Sequence, residues 1–126
     1  MTEGQKELTA LIVDNDSKVA YSLATILGLR GVKSTHVLTT AEALELLKRE
    51  TYDFVFTNFR QEPNGIAVYE AARAKGIESR ITTAQVEDEL LSQAQSVAGK
   101  HLIRKPYPIQ LIFTVIDDYR QRKPQS

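Results

Sequence analysis

The sequence predicts an α/β fold: a parallel sheet with helices on both faces. Three observations predict it. Five short apolar runs alternate with helix-like segments along the 126 residues. The first and third runs are almost continuously apolar, as strands covered on both faces should be. Helix-capping residues or glycines stand at most of the changeovers. Strict alternation of strand and helix implies a parallel sheet flanked on both sides.

Leu8–Val13 reads as the first strand. Asp16-Ser17 can cap the helix after it, which carries Val19, Ala20, Leu23, Ala24 and Leu27 at spacings of three and four. Gly31 ends it. Val32–Leu38 is the second strand, and Thr39-Thr40-Ala41-Glu42 is a capping-box pattern. The helix it opens shows Ala41, Leu44 and Leu47 on one face. Asp53–Thr57 is the third strand, and Asn58 to Gly65 is a loop with Pro63-Asn64-Gly65 as its turn.

Ile66–Lys75 follows as a helix that Gly76 stops. Arg80–Thr83 is the weakest strand, short and more polar. Glu87-Asp88-Glu89 fits a first helical turn, where the macrodipole favours acids, and Leu90, Leu91, Ala94 and Val97 supply that helix's apolar face up to Gly99. His101–Arg104 is the fifth strand. A last helix opens near Pro108 with Ile109, Ile112, Phe113 and Ile116 inward. The domain is expected over residues 8–120, with 1–7 and 121–126 as polar tails, the second a tail or linker.

Composition narrows the function classes. The chain is 42% hydrophobic and 25% charged, ordinary for a globular domain. Sixteen basic residues balance sixteen acidic ones, so no basic field argues for direct nucleic-acid binding. No apolar run approaches the ~20 residues of a membrane helix, and no signal peptide is visible. Cysteine is absent, which excludes disulfides and thiolate metal sites. A cytoplasmic location is expected.

In parallel sheets of this kind, ligands sit at the carboxyl ends of the strands. Asp14-Asn15-Asp16 follows the first strand, Asn58 the third, Thr83 the fourth and Lys105-Pro106 the fifth. Carboxylates, a carboxamide, a hydroxyl and an ammonium are thus expected at one edge. The plain structural readings are an N-cap for Asp16, an ion pair of Lys105 with Asp14, and a strand-end cap for Thr83. His36 and His101 read as plain strand residues. No glycine-rich phosphate loop and no nucleophile–His pair supports an enzyme, the alternative being a small enzyme or ligand-binding domain on the same fold.

Four motifs in register carry a resemblance: LIVDND at 11–16, YDFVFTN at 52–58, TTA at 82–84 and RKP at 104–106. From Leu8 to about Tyr119 the chain resembles the receiver domain of bacterial response regulators. The resemblance implies a flavodoxin-like, doubly wound sheet of five strands in the order 2-1-3-4-5 with five helices. It implies no enzyme activity of its own but signalling through a histidine kinase, an output domain or another regulator, without membrane contact. In that family an aspartate after the third strand accepts a phosphoryl group beside Mg²⁺. A hydroxyl and a lysine then hold the phosphoryl oxygens.

Matched position by position, Asp14 falls on the first acid, Thr83 on the hydroxyl and Lys105 on the lysine. Asn15 stands where a second acid is usual, and Asn58 on the phosphoacceptor itself. Pro63 and Gly65 are each offset by about one residue from the usual spacing. The expected pocket is therefore a degenerate one of Asp14, Asn15, Asp16, Asn58, Thr83 and Lys105. Asp14 and Asp16 remain as weak Mg²⁺ candidates, and no cofactor is required. Leu102 stands at the family's usual aromatic switch position. With Tyr107 it marks a candidate surface for self-association on the fifth strand and the last two helices.

Overall fold

The computed structural model describes residues 7–59, 65–83, 96, 98–105 and 107–122. Five strands form one sheet: β1 (Leu8–Val13), β2 (Val32–Val37), β3 (Phe54–Asn58), β4 (Glu78–Thr83) and β5 (Leu102–Arg104). Their order is β2-β1-β3-β4-β5, and every neighbouring pair is parallel. This is the expected doubly wound sheet. Four helices belong to the described residues: α1 (Ser17–Gly28), α2 (Thr40–Arg49), α3 (Gly65–Ala74) and α4 (Ile109–Arg122). The helix expected from Glu87 to Val97 falls almost entirely outside the described residues, as does the Pro63-Asn64 turn.

The period-two alternation of the central strands divides the core into two layers. Ala10 and Ile12 of β1 and Phe54 and Phe56 of β3 face α1 and α4, where Leu23, Leu27, Ile112 and Ile116 are buried against them. Leu11, Val13 and Val55 face the other way, onto Ala43 and Leu47 of α2 and Val68 and Ala72 of α3. Burying one large apolar side chain contributes roughly 1.5–3 kcal/mol. β1 and β3 are therefore the strands with least freedom to slip by one residue. Asn58 follows Phe54 and Phe56 at the same parity, so this register fixes the direction of its side chain.

The helix ends are defined by their caps. The Asp16 carboxylate accepts from the Lys18 and Val19 N–H groups at the start of α1. The Thr39 hydroxyl accepts from the Glu42 N–H and donates to the Glu42 carboxylate, 3.1 Å in each case. Lys75 donates to the carbonyls of Leu47 and Glu50, placing its ammonium at the negative end of α2.

Several expectations are corrected. β4 is not short but runs six residues from Glu78. Its polar residues are accommodated because Ser79 donates to the Ile77 carbonyl and Arg80 pairs with Glu78. His101 belongs to a short 3₁₀ turn, Gly99–His101, and not to β5. Ala41 is exposed, because Thr40, Ala43 and Leu47 centre the inner face of α2. Ile109 is also exposed, since the first turn of α4 overhangs the core that begins at Ile112.

The α1–β2 turn is pinned by the C-terminal helix. Arg120 donates to the Arg30 carbonyl (2.8 Å), and the Arg30 guanidinium lies 3.9 Å from the Phe113 ring centre. Gly31 has φ +77°, and a β-carbon there would meet the Arg120 guanidinium at 3.3 Å. Gly31→Ala should therefore destabilise the fold by about 1 kcal/mol. Urea unfolding would measure this as a lower midpoint at unchanged slope.

Candidate functional site

Asp14 leaves β1 fully buried, with its N–H on the Val37 carbonyl (3.2 Å). One carboxylate oxygen accepts the Asp16 N–H at 2.9 Å, and the other accepts the Lys105 ammonium at 2.8 Å. A carbonyl can only accept, so His36 donates from Nε2 to the Asp14 carbonyl across 2.9 Å and holds the strand exit from the β2 side. Asn58 ends β3, also buried, and its side-chain oxygen accepts from the same Lys105 ammonium at 3.2 Å.

β5 delivers that lysine. The Lys105 N–H donates to the Thr83 carbonyl (2.8 Å), which sets where the side chain departs. Asp14, Asn58 and Lys105 are thus joined directly, and Thr83, buried at its strand end, joins through its backbone. Asn15 and Asp16 are exposed, and the Asp16 carboxylate is engaged in capping α1.

Two further hydroxyl groups belong to the neighbourhood, although the sequence placed neither in the pocket. Thr82 pairs in register with Asn58, and its side chain hydrogen-bonds the Tyr107 hydroxyl. Burial, and then the negative charge of Asp14, push the Tyr107 hydroxyl well above the ordinary tyrosine range, so it stays protonated. The signal was available: strand alternation puts Thr82 on the opposite face from Thr83, and parallel register puts it beside Asn58.

Tyr107 and Leu102, the surface candidates, are both half-buried and packed inward. Tyr107 lies on the α1–α4 layer, and Leu102 on Tyr69, Ile81 and Ala98. Among the described residues of this region, Ile109 and Leu111 are the exposed large apolar ones.

Mg²⁺ favours hard oxygen ligands and is usually held by one or two free carboxylates together with waters. Here one buried carboxylate is bound to an ammonium, the neighbouring carboxylate caps a helix, and a neutral amide stands at the end of β3. Among the described residues no three His, Cys, Asp or Glu side chains form a group that could hold a metal ion. The donor set fits Mg²⁺ poorly. No helix of the described residues is long and apolar enough to cross a membrane.

No family model matches the chain, and no curated protein sequence matches it either. Solved structures do. The receiver domain of response regulator 1452 from Francisella superposes with a TM-score of 0.74 at 24% identity, covering 92% of this chain and 99% of that one. A CheY-like receiver domain protein from Methanospirillum hungatei gives 0.78 at 18% identity, covering 96% and 100%. A two-component response regulator from Clostridium difficile gives 0.77 at 18% identity, covering 93% and 98%. The fold is that of receiver domains. At these identities the likeness concerns the backbone, and the chemistry of the strand-end pocket has to be argued from this chain's own residues.

Removing the ammonium would leave the Asp14 carboxylate buried beside a neutral amide. Lys105→Met should cost about 2–3 kcal/mol, the lower end for a broken buried pair because the lysine side chain keeps some exposure. Adding Asp14→Asn to that variant should restore part of the loss. A double-mutant cycle in urea measures the coupling, and additive losses would show the contact to be energetically idle.

Proposed function

We propose that this chain is an atypical receiver domain that signals by protein–protein contact and does so without aspartyl phosphorylation. One observation carries the reading: Lys105 spans Asp14 and Asn58 at 2.8 and 3.2 Å, while a carboxamide occupies the end of β3. An acyl phosphate requires a carboxylate nucleophile. The Asn58 amide is uncharged and cannot form that anhydride. Lys105 already has its acceptors inside the domain, so the pocket is internally satisfied without a phosphoryl group. A histidine kinase, an output domain or another regulator is the class of partner. The domain acts in the cytoplasm, has no enzymatic activity of its own, and contacts neither nucleic acid nor membrane.

Acetyl phosphate with Mg²⁺ should leave the mass of the wild-type protein unchanged. Asn58→Asp supplies a nucleophile beside Lys105, and Asn15→Asp in addition supplies a second metal ligand and should raise the rate of phosphorylation. Intact-mass spectrometry reads both. A labile phosphoryl group on the wild type would refute the reading. Failure of the double variant to gain one would mean that the pocket has diverged beyond these two positions.

Metal binding follows the same charge count. Mg²⁺ should bind the wild type only at millimolar concentrations or weaker, and the double variant more tightly. Calorimetric titration showing micromolar affinity in the wild type would contradict the assignment. Restoring both acids should also lower stability in the absence of metal, because like charges then share one buried edge.

A further inference from the structure

A cavity of about 590 Å³, of mixed polar and apolar lining, lies away from the strand-end pocket, beside the start of β4 and against Ile103 of β5 and Leu111 and Val115 of α4. Arg73 of α3, Arg80 of β4, His101 of the 3₁₀ turn and Arg122 of α4 line it, together with Glu78 and Asp118. Glu78 holds two of the arginines in place. One of its oxygens accepts from Arg80 at 2.6 Å and the other from Arg122 at 3.1 Å. Burial opposes the charge on Glu78, but the two guanidiniums outweigh it and keep the carboxyl below its ordinary range.

His101 stands between two neighbours at the mouth of the cavity. Arg73 Nη1 can only donate and lies 3.4 Å from Nδ1, while the Tyr69 hydroxyl lies 2.9 Å from the same atom. Three guanidiniums thus contribute donors to one concavity, against one acid already shared by two arginines and a second, exposed one, Asp118. A guanidinium carries five N–H donors, so the contacts to Glu78 use only part of each set.

We propose that this cavity binds a small phosphate-bearing anion, of nucleotide size or less. Its volume falls within the range of small-molecule sites. The arginines come from three separate elements, and a phosphate accepts hydrogen bonds from several directions at once, whereas a carboxylate offers two oxygens in one plane. The site is independent of the strand-end pocket, so it stands or falls separately from the signalling role.

The probe is inorganic pyrophosphate, titrated into the full chain at low ionic strength without metal, by calorimetry and by ¹⁵N-resolved NMR. Saturable one-to-one binding is expected, with shifts centred on Arg73, His101 and Arg122 and with malonate binding more weakly. Arg73→Gln removes an exposed guanidinium and should weaken binding about tenfold, the loss of one charge-assisted contact. Arg122→Gln should give a comparable loss, with the amide spectrum of the same samples reporting that the fold persists. Absence of saturation into the millimolar range, affinity unchanged in both variants, or shifts centred on Lys18 and Lys105 instead would each overturn the proposal.

Discussion

The Lys105 ammonium is the group on which the carboxyl edge of this sheet depends. Asp14 is buried, and an isolated carboxylate cannot stay charged there without a partner. Lys105 supplies that partner at 2.8 Å. Asn58 then accepts from the same ammonium without adding charge, so the three groups leave the edge electrically neutral. An aspartate in its place would set two anions against one cation and leave room for a divalent metal to settle the difference. The amide removes that demand.

That contact is available because the sheet register is over-determined beneath it. Phe54 and Phe56 are locked into the α1–α4 layer, and Val55 into the α2–α3 layer. A one-residue slip of β3 would exchange the two faces and turn Asn58 away from Lys105. The Lys105 backbone is set independently, by the Thr83 carbonyl. The lysine therefore reaches Asp14 and Asn58 through a framework built from apolar packing on one side and ladder hydrogen bonding on the other.

Much of this was legible in the sequence, for a definable reason. Near-continuous apolar runs identify strands with two covered faces, and such strands impose a parallel sheet almost by themselves. Once the strands were placed, Asp14, Asn58, Thr83 and Lys105 fell at their carboxyl ends. Side-chain direction at the margins was less legible. β4 looked short because Glu78 and Ser79 are polar, yet a local ion pair and a local hydroxyl contact satisfy them inside the sheet. The sequence placed Tyr107 at a surface and did not join it to Thr82, because their contact links a strand to a later loop, a relation that no local pattern encodes. The arginine-lined cavity was invisible for the same reason, since its guanidiniums come from residues 73, 80 and 122.

Asp53, at the other end of β3, gathers distant parts of the chain. Its carboxylate accepts the Thr9 N–H at 2.9 Å and the Tyr119 hydroxyl at 2.7 Å, across 44 and 66 residues of sequence. Contacts that span so much chain are made only after the intervening strands and helices have come together, since the loop-closure entropy must first be overcome. The Tyr119–Asp53 bond thus fastens α4 to the foot of β3, and with the Thr9 N–H it makes one carboxylate the meeting point of the first strand, the central strand and the last helix.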